Sequence, residues 1–183
     1  MTNLNWAILG PGLIAKEFAQ ALNNKGIKIY AVGSRTLEKA KEFAKEYNVT
    51  EAYGDYSEML KDEKIDVVYI STPHNNHYQY IMESLENNKH VLCEKAITVN
   101  IKELSDIIRL AQEKNLVVQE ATGLASELFV RHTQKETQAL DDKLKRGVIS
   151  QKPTIRPCNS MIRCHISTLA RSSGLLPNSD VLS

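Results

Sequence analysis

From the start of the chain to about residue 120, short apolar runs alternate with stretches in which apolar residues recur every three or four positions. A parallel sheet covered by crossover helices leaves this pattern, because its strands are buried on both faces and its helices on one. The runs predict strands over residues 5–9, 28–33, 52–53, 66–70, 90–93 and 116–119. Between them, helices are predicted over 13–23, after Thr36, around Met59 and Leu60, over 78–87, and after Asn100. Their apolar stripes are Ile14, Phe18, Ala21 and Leu22 in the first helix; Ala40, Phe43, Ala44 and Tyr47 in the second; and Leu104, Ile107, Ile108 and Ala111 in the last. Thr36 and Asn100 suit N-caps, Asp55 or Ser57 would open the short third helix, and Gly26 suits a left-handed cap. The fold class expected is α/β, a doubly wound parallel sheet of the Rossmann type over residues 1–121.

After Ala121 the pattern changes. Residues 122–149 still allow a helical extension, but from 150 to 183 neither alternation nor helical spacing recurs. That last stretch carries Pro153, Pro157, Pro177, Cys158, Cys164 and several serines, a composition poorly suited to a packed core, so an irregular tail is expected.

Charge adds little to this picture except exclusions. A formal net charge of +1 with 25% charged residues gives no reason to expect a nucleic-acid partner. The apolar runs are of strand length, and the N-terminus enters a strand without a signal-like core, so a cytoplasmic protein with no membrane span is expected. Three cysteines without framework spacing point to free thiols.

The strongest local motif is Gly10-Pro11-Gly12-Leu13-Ile14-Ala15, set between a predicted strand and a predicted helix. Gly10 permits a tight turn, Gly12 lets a pyrophosphate approach the backbone, and Ala15 lets the helix pack closely on the strand. The helix start at Leu13 and Ile14 would offer unpaired amides to the phosphates. Two alternatives are a glycine turn without a ligand and a pocket for S-adenosylmethionine; the strand-turn-helix context favours a dinucleotide.

The end of the second strand should meet the adenosine ribose. A protein that prefers NAD commonly places an acid there, whereas this chain has Ser34 and Arg35, with Lys39 one turn on. Ser34 can donate to a 2'-phosphate and Arg35 can pair with it, which tilts the expectation towards NADP over NAD. The blander reading has Arg35 stacked on adenine and Lys39 solvated.

Two more segments fall at strand ends, where open α/β sheets bind ligands: Ser71-Thr72-Pro73-His74-Asn75-Asn76-His77 and Cys93-Glu94-Lys95-Ala96. Together with the Ala7-Ile8-Leu9-Gly10 start, they make the chain resemble the glucose-fructose oxidoreductase, inositol dehydrogenase and rhizopine-catabolism (Gfo/Idh/MocA) family. That family shows a glycine-rich A-I-L-G start, a T-P-x-x-x-H segment and an E-K-P segment in this order. The resemblance covers residues 4 to about 121. It implies NAD(P)-dependent oxidoreductase activity, with hydride transfer between a nicotinamide dinucleotide and a sugar, cyclitol or related polyol. It also implies that Thr72, Pro73 and His77 lie along the nicotinamide half, that Glu94 lies near its ribose, and that Lys95 is the catalytic lysine. Ala96 departs from the family's proline and gives up a backbone restraint. His74 and His77 lack the neighbouring ligands that a metal site needs, so no metal is expected.

The family continues into a second, α+β domain that covers the nicotinamide. No counterpart to it is legible after residue 121, and the expectation is a truncated or frameshifted product in which cofactor binding outlasts catalysis. Uncovered apolar surface would then favour self-association. The alternative function is a non-catalytic dinucleotide-binding module or defunct fragment. A methyltransferase-like binder is disfavoured by Arg35 and by the Glu94-Lys95 segment.

Overall fold

A computed structural model of the chain describes residues 4–121. The expected helical extension over 122–149 and irregular tail over 150–183 lie outside the described residues.

The order along the chain is β1 (Trp6–Leu9), α1 (Leu13–Asn24), β2 (Ile29–Gly33), α2 (Leu37–Tyr47), β3 (Glu51–Tyr53), α3 (Tyr56–Leu60), β4 (Val67–Ile70), a 3-10 turn (His74–Asn76), α4 (His77–Glu86), β5 (His90–Glu94), α5 (Ile101–Lys114) and β6 (Val118–Ala121). All the strand pairings are parallel and the sheet order is β3-β2-β1-β4-β5-β6. The strand order reverses between β1 and β4. A crevice opens at such a switch point, beyond the carboxyl ends of the strands.

Alternation along the strands assigns side chains to two layers. Trp6, Ile8, Val32, Tyr69 and Leu92 join Ala15, Ala19 and Leu22 of α1 and Phe43 of α2 on one face. Ala7, Leu9, Val68, Ile70, Val91 and Cys93 join Met59 of α3, Ile81 of α4 and Ile107 of α5 on the other. Each of the larger aliphatic side chains fully buried here stabilises the fold by roughly 1.5–3 kcal/mol relative to exposure. Burial on both faces explains why β1 and β4 read as unbroken apolar runs.

The caps follow the sequence with small corrections. Asn100 Oδ1 accepts from the Glu103 amide at 3.0 Å, and Asp55, rather than Ser57, caps α3 by accepting from Glu58 at 2.8 Å. Thr36 holds the N-cap position of α2 without a side-chain cap bond. Gly26 has the left-handed backbone expected of it, with φ +71°. The sixth strand starts two residues later than predicted. Asn115 ends α5 in a left-handed turn and the Leu116 amide closes back on Ala111, so Leu116 belongs to that turn, and the Val117 carbonyl makes the first bond to β5 by accepting from the Val91 amide at 2.8 Å. Among the described residues, no helix is long and apolar enough to cross a membrane.

Candidate functional site

The glycine motif forms the turn between β1 and α1. Gly10 has φ +97°, and its amide donates to Gly33 of β2 at 3.1 Å. A Cβ at Gly10 would meet Thr72 Cγ2 at 3.0 Å, so the absence of a side chain lets the turn close against the loop after β4. Ser71 fastens the same junction: its hydroxyl donates to the Gly10 carbonyl at 2.7 Å, and its amide donates to Leu9 at 3.0 Å. Gly12 differs from Gly10, because a Cβ there would have nothing within 4 Å. It is also the N-cap of α1, with no side-chain cap and no acidic residue in the first turn. The positive end of the helix therefore faces open space.

A cleft of about 490 Å³ lies over this turn. Its floor is Gly10, Pro11 and Gly12; its far end is Ser34, Arg35, Thr36 and Lys39; its near wall is Ser71, Thr72, Pro73 and Asn76. Ser34 is buried, with its amide donating to Tyr53 at 3.0 Å, while Arg35 and Lys39 are exposed. Tyr56 and Tyr80 complete the lining, edge to face at 5.1 Å between ring centroids. Burial raises both phenols above the ordinary tyrosine range, and the Arg35 guanidinium opposes this in each case.

The cleft gathers Gly10, Gly12, Ser34, Arg35, Lys39, Thr72 and Pro73 from the residues expected in the sequence. Leu13, Ile14, His77, Glu94 and Lys95 lie outside its lining. Leu13 and Ile14 are exposed apolar side chains on the first turn of α1. Lys95 is exposed just past β5, and the Lys95–Ala96 peptide bond is cis. His77 is buried beneath the loops; its ring nitrogens sit 2.8 Å from the Ala96 carbonyl and 2.8 Å from the Thr72 carbonyl. Glu120, on β6, accepts from the Ile97 amide at 2.9 Å and so holds the far side of the lysine loop. His74 is exposed on the 3-10 turn.

Glu94, half-buried at the end of β5, accepts from the Tyr69 hydroxyl at 2.5 Å. Burial first, and the adjoining carboxylate second, push the Tyr69 phenol well above the usual tyrosine range, so it remains a donor.

The sequence reading missed Tyr56, Tyr80, Tyr69 and Glu120. Tyr80 carried a usable signal, since it lies one turn after His77 on a helix that starts at the sheet's ligand edge. Tyr69 read simply as part of an apolar strand.

These features fit a dinucleotide. The space over Gly12 admits a pyrophosphate beside the helix amides, and Thr72 Oγ1 is buried with no hydrogen-bond partner among the described residues.

Comparison with known proteins agrees. A family model described as an oxidoreductase family with an NAD-binding Rossmann fold matches residues 4–122. The trans-1,2-dihydrobenzene-1,2-diol dehydrogenases of Xenopus laevis and Homo sapiens are each 38% identical, over 119 and 121 residues. These matches take in 63% and 64% of this chain and 36% of each relative. The chain thus spans little more than a third of the length of these relatives. Among solved structures, a 3-ketoreductase from Actinomadura kijaniata in complex with NADP and TDP-benzene is 27% identical with TM-score 0.63, covering 81% of this chain and 44% of that one.

Proposed function

This chain belongs to the Gfo/Idh/MocA oxidoreductase family, which has an NAD-binding Rossmann fold, and from that premise we propose that its cleft binds NADP(H) in preference to NAD(H) as the cofactor half of a dehydrogenase. The reaction is hydride transfer between the nicotinamide and a hydroxyl or carbonyl carbon of a sugar, cyclitol or related polyol. One observation carries the reading: the open Gly12 turn and the Ser34-Arg35-Lys39 group share a single cleft. The turn suits a pyrophosphate, and the basic group suits a 2'-phosphate where an acid would repel it. The NADP in the Actinomadura relative and the diol named for the Xenopus and human relatives support the same cofactor and substrate class.

In this reading a bound nicotinamide dinucleotide would supply the redox chemistry, as hydride donor or acceptor. The α1 amides and Gly12 would hold the pyrophosphate, Thr72 Oγ1 would donate or accept at the cofactor's nicotinamide half, and Arg35 and Ser34 would clamp the 2'-phosphate. Lys95 would hydrogen-bond the substrate oxygen, taking up its proton as the carbon gives up hydride and returning a proton as the carbon receives hydride, so charge stays balanced at that oxygen.

Titration of the purified chain with NADPH and NADH, followed by fluorescence and thermal unfolding, tests the cofactor reading. Saturable binding is expected, with Arg35→Ala weakening NADPH by roughly tenfold or more while leaving NADH nearly unchanged. Equal losses for the two cofactors would remove the 2'-phosphate assignment, and no binding by the folded chain would remove the dinucleotide site.

A further inference from the structure

The only role the fold itself requires of Tyr69 is apolar. The side chain is 1% exposed, packed in the layer under α1, and its ring lies stacked on Phe18 of α1 at 3.8 Å between centroids and 22° between planes. A phenylalanine would fill that space as well. The hydroxyl instead reaches the ligand edge of the sheet, where it donates to Oε1 of Glu94 at 2.5 Å. The two residues sit on adjacent paired strands and point to the same face, because Tyr69 pairs with Leu92 and Glu94 is two residues further along β5.

A carboxylate on a half-buried strand end has several rotamers available, and one charge-assisted hydrogen bond from a rigid donor selects among them. Tyr69 is such a donor, since the stack with Phe18 fixes its ring. Phe18 lies on the helix whose N-terminus faces the cleft, so the chain α1, Tyr69, Glu94 links the phosphate-binding end of the site to the carboxylate beside Lys95. With Oε1 occupied by the tyrosine, Oε2 is left to accept from a ligand hydroxyl.

Resting on the proposed dinucleotide reading, we propose that Tyr69 is a positioning residue that sets Glu94 to receive a ribose hydroxyl of the nicotinamide half, and so discriminates whole dinucleotides from adenosine fragments.

Tyr69→Phe keeps the ring and removes the donor. Two probes separate the halves of the site: NADPH, and adenosine 2',5'-bisphosphate, which lacks the nicotinamide mononucleotide. The expected result is that Tyr69→Phe weakens NADPH by roughly threefold to tenfold and leaves the bisphosphate within about twofold. In a Glu94→Gln background, the same change should weaken NADPH by much less, because the two residues act through one bond. Equal effects on both probes, no effect on either, or full additivity with Glu94→Gln would overturn the proposal. So would a Tyr69→Phe chain that fails to fold, since the hydroxyl would then support the core instead of the carboxylate. Failure of the wild-type chain to bind the bisphosphate is a different outcome: it would overturn the cofactor reading and this inference with it.

Discussion

Nδ1 of His77 lies 2.8 Å from the carbonyl oxygen of Ala96, across 19 residues of sequence, and this contact ties the helix after β4 to the loop that carries Lys95. The other ring nitrogen lies 2.8 Å from the Thr72 carbonyl oxygen. One buried side chain therefore joins the wall of the cofactor cleft to the lysine segment. Both partners are carbonyl oxygens, so the ring N–H donates to one of them, and a hydrophobic residue in its place would leave that carbonyl without its donor.

Replacing His77 by Leu removes the ring N–H that serves one of these part-buried carbonyls and should cost about 1–3 kcal/mol. Thermal unfolding should show a drop of several degrees, and NADPH affinity should fall because Thr72 loses its anchor. His77→Gln restores one donor group and should recover part of both. Unchanged stability and affinity in His77→Leu would show that the two loops hold their places without the ring.

The sheet was legible because its strands are buried on both faces and its helices on one, and these two periods do not overlap. The glycine turn was legible because the backbone geometry it needs restricts residue type. The tyrosines were not, because Tyr69 and Tyr80 look like ordinary apolar positions until the fold sets the Tyr69 hydroxyl on Glu94 and Tyr80 in the cleft lining. The burial of His77, at 1% exposure between the Thr72 and Ala96 carbonyls, is not legible in its motif, because both contacts are made by the fold. The start of β6 differs from the alternation because the left-handed turn at Asn115 takes in Leu116, whose amide closes back on Ala111.

The two glycines of the motif should respond differently to alanine. At Gly10, a Cβ meets Thr72 Cγ2 at 3.0 Å in a backbone with φ +97°, so Gly10→Ala should destabilise the fold by about 1–3 kcal/mol. At Gly12, φ is −86° and the space is open, so Gly12→Ala should leave the unfolding midpoint nearly unchanged while weakening the dinucleotide. Paired unfolding curves and cofactor titrations read both effects. Loss of stability at Gly12 equal to that at Gly10 would mean that the turn, rather than ligand access, requires both glycines.

The cap of α5 offers a simpler test of local structure. Asn100 accepts from the Glu103 amide at 3.0 Å on an exposed helix end. Asn100→Ala should cost about 1 kcal/mol in denaturant unfolding, and Asn100→Asp or Asn100→Ser should cost little. An Ala variant as stable as the wild type would mean that solvent satisfies the amide equally well.

His90 should make the stability of the fold depend on pH through the weakly acidic range. The ring is 6% exposed at the start of β5, and its Nδ1 accepts from the Val117 amide at 3.0 Å, which places the ring proton on Nε2. Burial lowers its pKa from 6.5 to about 4. Between those values the unfolded chain binds a proton that the folded chain does not, so stability falls as pH is lowered through this window. Above 6.5 both states hold a neutral ring and this residue contributes no pH dependence; below about 4 both are protonated and the loss levels off. Its total is on the order of 3 kcal/mol. Protonation of Nδ1 would also remove the acceptor that orders Val117 just before β6, so the damage should concentrate at that sheet edge. Urea unfolding of the wild type and of His90→Asn at pH 7.5, 5.5 and 4.5 isolates the contribution of this ring, since Asn cannot titrate. The difference in stability between the two should shrink as pH falls. A difference that stays constant over this range would mean that His90 titrates normally and that other groups govern acid unfolding.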